Sequence, residues 1–163
     1  MMDPHGFVVT RGIVPTWPGM TPAGQVVARF LATVRQSGDP DDAIAVLAPR
    51  VTAHQMSSHR ADTIVRTPEE YAAHIGELLR MYGPFRFEVT EILSQDDRVF
   101  VRWVQRGHHI RRVDGSSGTG RPLIDVASAV YRVEQDRIAE YWIQSDTQGL
   151  VCQLDALERW REE

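Results

Sequence analysis

Residues 85 to 145 constrain this fold most, because they alternate apolar and polar side chains through four successive runs. Phe85 to Leu93 alternates around Phe85, Phe87, Val89 and Glu91. Arg98 to Ile110 sets Val99, Val101 and Trp103 against Phe100, Arg102 and Val104. After a glycine-rich gap, Leu123 to Val133 and Ile138 to Ser145 complete the set. A period of two is the signature of strands with one face covered. The polar breaks Ser94-Gln95-Asp96-Asp97 and Glu134-Gln135-Asp136-Arg137 have the length and composition of hairpin turns. A curved antiparallel sheet of this kind needs a cover, and the first half of the chain is helical. The expected class is α+β, with helices roofing one face of the sheet.

Thr21-Pro22 starts the first helix, a capping residue followed by proline in the first turn. Ala23, Val26, Val27, Phe30, Leu31 and Val34 form its buried face, and Gly38 ends it. Asp39-Pro40 caps a short second helix carrying Ile44, Val46 and Leu47, stopped by Pro49. Thr67-Pro68-Glu69-Glu70 is a capping box for a third, whose apolar face is Tyr71, Ala72, Ile75, Leu78, Leu79 and Tyr82. Val51 to Met56 reads as a short strand and Ser57 to Arg66 as a polar loop. Residues 1 to 20 are too apolar for a free tail and too rich in proline and glycine for a helix. They read as an arm that packs on its own domain or on a partner subunit, with residues 21 to 163 as one domain.

Charge and composition exclude several functions. The net charge of -4 shows no basic face for nucleic acid. No apolar run approaches the ~18 residues of a membrane span, and the start lacks a secretory pattern, so a cytoplasmic protein is expected. Cys152 is a single cysteine, which excludes a disulfide framework and a thiolate metal site. No histidine pair has helical ligand spacing, and the adjacent His108 and His109 point to opposite faces, so no metal is expected. Ser116 to Gly120 is a hairpin loop without the lysine or helix of a phosphate loop.

Three helices, a short strand, a four-stranded meander and a short terminal helix resemble the cone-shaped nuclear transport factor 2-like fold. Local sequences from 21 to 154 resemble the SnoaL-like polyketide cyclase family. They are Arg98-Val99-Phe100-Val101-Arg102-Trp103 with Arg106-Gly107-His108-His109, Gly118-Thr119-Gly120-Arg121-Pro122, Val130-Tyr131-Arg132-Val133, Arg137-Ile138, Asp146-Thr147-Gln148-Gly149-Leu150 and Gln153-Leu154. The resemblance implies a strongly bent, mostly antiparallel sheet enclosing an apolar pocket. It also implies cofactor-free aldol closure of a polycyclic ester by an aspartate and a histidine. Aligning Asp146-Thr147-Gln148-Gly149 and Tyr131-Arg132-Val133 places that aspartate at Ile143 and that histidine at Ala129. Neither residue moves a proton, so other groups must carry any chemistry. The spacing of an epoxide hydrolase of this fold is also missing, since Val104 stands two residues after Arg102.

Strand parity puts Val101, Trp103, Gln105, Gly107 and His109 on the cavity side. Gln105 either orients a substrate carbonyl or bridges to a neighbouring strand or water. His109 either reaches the pocket or sits in an exposed turn. His54 and Gln55 are placed near the pocket mouth. There His54 is a candidate general base, its ordinary pKa lying near ~6.5, or a histidine bonded beneath the first helix. Asp146 is an acid/base candidate or the cap of the last helix. Asp125 shares parity with Ala127 and Ala129 and reaches the pocket rim or solvent. Tyr71, Tyr82, Tyr131, Tyr141 and Trp142, with Trp103, are either core or a platform for a flat substrate, and the phenol of Tyr131 or Tyr141 could donate to an oxyanion.

The expected function is therefore a cofactor-independent cyclase or isomerase acting on a polyketide-like or other apolar secondary metabolite. His54, His109 or Asp146 would move the proton, and Gln55, Tyr71, Trp103, Gln105, Asp125, Tyr131 and Tyr141 would bind substrate. The alternative is a non-catalytic carrier or accessory protein for a small hydrophobic ligand. A hydroxylase-like variant served by a partner reductase is a further reading. The expected partners are a small apolar molecule and a second copy of the chain, paired through the convex face of the sheet.

Overall fold

The structure, a computed structural model, describes residues 6–112 and 114–159. The first five residues of the expected arm and the charged end at 160–163 lie outside the described residues. In chain order the elements are β1 (Phe7–Val9), α1 (Pro22–Ala32), α2 (Val34–Ser37), α3 (Pro40–Val46), β2 (Leu47–Gln55), β3 (Asp62–Arg66), α4 (Pro68–Tyr82), β4 (Arg86–Gln95), β5 (Arg98–His108), β6 (Pro122–Glu134), β7 (Arg137–Ser145) and α5 (Thr147–Arg159). The strands form one sheet in the order β1-β4-β5-β6-β7-β2-β3. Only the β2–β7 pair is parallel among those described.

Local chemistry sets the helix starts. The Thr21 hydroxyl accepts from the Gly24 amide at 3.2 Å. Asp39 accepts from the amides of Asp41 and Asp42. Thr67 and Glu70 form the reciprocal box, with the Thr67 amide donating to Glu70 at 2.8 Å and the Glu70 amide to Thr67 at 3.2 Å. The first helix is interrupted at Thr33, contrary to the continuous helix expected up to Gly38. Its hydroxyl donates to the Arg29 carbonyl at 2.8 Å, a local bond that competes with the helical ladder. The break turns Val34 and Arg35 inward, where both are buried.

The meander follows the alternation. Both tight hairpins have two-residue loops: Gln95 pairs with Arg98 and Glu134 with Arg137. Gln135 and Asp136 both take positive φ, the geometry that matches the twist of the flanking strands. Two irregularities change the expected parity. Pairing shifts at Thr90, so the buried set runs Phe87, Val89, Ile92, and Glu91 turns outward to meet Arg102 at 2.8 Å. A second shift at Ala139 puts Ile138 and Tyr141 on the same inner face. Such bulges bend a sheet, and here they curl it around the helices.

Two further expectations are corrected. Leu47 begins β2 rather than ending the second helix, and residues 62–66 of the expected polar loop form the edge strand β3. The described part of the arm packs on its own domain: β1 pairs with β4 and the Gly12 amide donates to the Ala32 carbonyl, while Phe7 stacks on Trp17 at 6.5 Å within the arm. No described helix is long and apolar enough to cross a membrane.

Candidate functional site

The interior of the cone is filled with aromatic rings. Phe30 of α1 lies 5.5 Å from Tyr71 and 5.4 Å from Tyr131, while Tyr141 packs 6.2 Å from Tyr71 and 5.9 Å from Tyr131. Trp103 stacks on Phe87 at 5.6 Å. Tyr71, Trp103, Tyr131 and Tyr141 are all buried, which makes them core. Burial pushes the phenols of Tyr131 and Tyr141 well above their ordinary range, so both stay neutral. Ala129 and Ile143, where the resemblance expects the histidine and aspartate, face each other directly across β6 and β7 beside this cluster.

A cavity of about 80 Å³ opens beyond the aromatic plug, lined by Leu78, Tyr82, Phe85, Gln105, Gly107, Leu123, Asp125 and Leu150. Four parts of the chain build it: the end of α4 with the segment following it, β5, β6 and α5. Gly107 allows this closure, because a Cβ there would lie 2.8 Å from the Tyr82 carbonyl oxygen. On the opposite wall α5 is held down by Gln153. Its carbonyl accepts from the Ile124 amide at 2.9 Å and its amide donates to the Ile124 carbonyl at 2.8 Å. The side chain thus pairs with β6 just beyond the point where β7 leaves it.

Asp125 and Gln105 stand opposite each other in the β5–β6 register, both aimed at this cavity. Desolvation raises the Asp125 carboxyl pKa, opposed by attraction to Arg35 and reinforced by the charge of Asp146. Tyr82 is raised too, first by burial and then by Asp125, which keeps its phenol a donor. Gln105 is only 5% exposed, and its Oε1 accepts from Arg35 Nη2 at 3.0 Å. Arg35 is itself buried, and its guanidinium lies 5.5 Å from the centre of Phe87 and 5.3 Å from that of Trp103. No ion pair involves it among the described residues.

The remaining candidates lie elsewhere. His54 is on the outer face of the sheet, because Val51 and Ala53 take the inner positions. It stacks on Trp142 at 5.0 Å and bonds Glu140 at 2.7 Å and Thr63 at 3.0 Å, so neither the pocket-mouth placement nor the one beneath the first helix holds. Glu140 also bonds Arg132 at 2.9 Å, and these partners, His54 first, lower its pKa. His109 is buried rather than exposed, but it pins the β5–β6 loop instead of lining the cavity. The Thr119 amide donates to its Nδ1 at 3.3 Å, and its own backbone bonds Arg121 and Gly120. Asp146 caps α5 through the Gly149 amide at 2.9 Å. Gln55 borders a separate, open groove with Ile143 and Asp146. Among the described residues no three His, Cys, Asp or Glu side chains converge on a metal position.

Arg35, Phe85 and Leu150 are site-building residues that the sequence reading does not single out, whereas Tyr82, weighed there as core or platform, lines the cavity. Arg35 had a visible signal, since it falls four residues after Leu31 on the buried stripe of Val27 and Leu31. Tyr82, Phe85 and Leu150 are ordinary apolar-face residues, whose role depends on how α4 and α5 dock.

The architecture matches solved structures over most of their length. A proposed polyketide cyclase from Acidithiobacillus ferrooxidans superposes with a TM-score of 0.72 at 19% identity, over 84% of this chain and 96% of that one. IdmH, a proposed polyketide cyclase from Streptomyces antibioticus, gives 0.68 at 24% identity, over 82% and 98%. AclR, a proposed hydroxylase from Streptomyces galilaeus, gives 0.68 at 16% identity, over 85% and 99%. At these identities the likeness establishes the fold alone. No curated protein matches the sequence. The model of one family does match, over residues 25–154, which includes every residue lining the cavity. The chain therefore belongs to the SnoaL-like polyketide cyclase family and carries its nuclear transport factor 2-like fold.

Proposed function

We propose that this protein is a cofactor-independent cyclase or isomerase of secondary-metabolite tailoring, with Asp125 as its acid/base group. The observation that carries this reading is the desolvated carboxyl of Asp125, opposite the Gln105 amide, in an apolar cavity. A carboxylate raised by burial is a stronger base than one in water. Asp125 takes a proton from a carbon next to a carbonyl, and the electron pair of that C–H bond moves to the carbonyl oxygen as an enolate. The enolate carbon then attacks a second carbonyl in the same molecule, or is reprotonated elsewhere. In either case Asp125 returns its proton, to the new alkoxide or to carbon, and nothing is oxidised. Tyr82 and Gln105 supply donors to the oxygen that gains charge.

The cavity is too small for a polycyclic molecule, so it receives the reacting edge while the remaining rings extend through the mouth. Membership of a cyclase family supports a tailoring role. Where the resemblance expects an acid/base pair, Ala129 and Ile143 carry no titratable group, which favours this carboxyl as the one in use.

A suitable test needs no native substrate. The protein is expected to speed exchange of the α-protons of 2-tetralone into D2O, followed by proton NMR. Asp125→Asn should abolish the acceleration and His54→Ala should leave it intact. Acceleration that survives Asp125→Asn would contradict the reading. The filled aromatic interior favours one other role, a carrier that binds a small apolar ligand without chemistry. Saturable binding of 2-tetralone with no exchange would establish that role instead.

A further inference from the structure

We propose that Arg35 is a positioning residue that locks the Gln105 carboxamide with its N–H edge toward the cavity, so that this site takes its ligand through a carbonyl or enolate oxygen. The inference rests on reading the Asp125 cavity as the working site. A guanidinium has donors and no acceptor, so only the carbonyl end of Gln105 can face it. That contact is 3.0 Å long and buried. Arg35 lies against the stacked pair of Phe87 and Trp103, 5.5 and 5.3 Å from their ring centres, and its burial there opposes the movement that would let the amide turn over. With Oε1 taken up by Arg35, the Nε2 end is the part of this cavity-lining carboxamide left to meet a ligand.

A free glutamine presents either a donor or an acceptor, and so discriminates little between ligands. A locked one offers N–H alone. A carbonyl, and more strongly an enolate, satisfies it, whereas an apolar group of the same shape leaves a desolvated donor unpaired. The same guanidinium attracts the Asp125 carboxylate and so moderates the rise that burial causes. Arg35 therefore acts on both functional groups without touching substrate.

The experiment compares acetophenone with isopropylbenzene, two ligands of similar size of which only the first has an acceptor. Wild-type protein should bind acetophenone about fivefold more tightly, the effect of one neutral hydrogen bond. The side-chain amide protons of Gln105 should move downfield in NMR with acetophenone and stay in place with isopropylbenzene. Gln105→Glu keeps a partner for Arg35 but has no N–H, so it should fold and lose the preference. Arg35→Met should lose it as well and raise the pH at which α-proton exchange of 2-tetralone reaches half its limit. Because Arg35→Met can also fail to fold, Gln105→Glu is the decisive variant. Equal binding of the two ligands by wild type, or a preference retained in Gln105→Glu, overturns the proposal. A preference without any exchange in wild type would sink the acid/base reading and leave the Arg35 lock standing.

Discussion

Replacing Phe30 with alanine tests whether the cone is plugged by aromatic rings. Phe30 is 1% exposed and contacts Tyr71 and Tyr131 at ring separations of 5.5 and 5.4 Å. Loss of a ring so enclosed removes its transfer energy and leaves a void, at a cost of about 3–5 kcal/mol. For a domain whose total stability is about 5–15 kcal/mol, that is a severe but survivable loss. With a urea slope near 2 kcal/mol/M, the unfolding midpoint should fall by about 2 M. Equilibrium urea denaturation followed by tryptophan fluorescence reads the change. The new void borders Tyr131 and therefore lies beside Ala129 and Ile143, so benzene at saturating concentration should recover part of the loss. A destabilisation below about 1 kcal/mol, with no response to benzene, would show that Phe30 is not enclosed. The interior would then be open where we describe it as filled.

Asp125→Asn should stabilise the protein at neutral pH while removing activity, the trade expected of a strained functional carboxyl. A carboxyl whose folded pKa is raised favours folding below its unfolded pKa, and that contribution is lost as pH rises through the folded value. The gain in melting temperature should therefore be present at pH 7 and vanish toward pH 3; a variant less stable than wild type at pH 7 would refute it. Gln153→Ala removes both bonds to Ile124 and should loosen α5, seen as faster amide exchange in residues 147–157 with little change in β5. Unchanged protection there would mean that packing alone holds the helix. The outer face carries Leu93, Phe100, Val130 and Trp142 in one cross-strand row, with Leu93 60% exposed. It is expected to pair with a second copy of the chain, giving a sedimenting mass near twice 18.5 kDa that Leu93→Glu halves. A monomeric wild type would refute that.

Much of this architecture is legible in the residues because it depends on local pattern. Alternation through Val99, Val101, Trp103 and Gln105 marks an inner face that burial matches, and Thr67 with Glu70 marks a helix start. Features set by long-range packing were not legible. The bulge at Thr90 has no composition of its own, and it alone turned Glu91 from the inner face to the outer. The strand at Asp62–Arg66 is an edge strand with mostly exposed side chains, so it lacks the apolar alternation of a covered one. Chain proximity of His54 to Val51 suggests the pocket mouth, but alternation with the buried Ala53 points it outward. Asp125 and Gln105 could be assigned to the inner face from parity. That they share a cavity beyond the aromatic plug depends on the docking of α4 and α5, which no local pattern encodes. The burial of Arg35 is hard to read from sequence because a lone arginine at a helix end ordinarily reaches water. The break at Thr33 and the rings of Phe87 and Trp103 instead hold it inside.

The most direct measurement is a carbon-13 NMR titration of the Asp125 carboxyl, with and without 2-tetralone. A pKa above that of an ordinary aspartate, and a resonance that moves when the ketone is added, are the predicted results. A carboxyl that titrates near ~3.9 and ignores the ketone would place the chemistry somewhere other than this cavity.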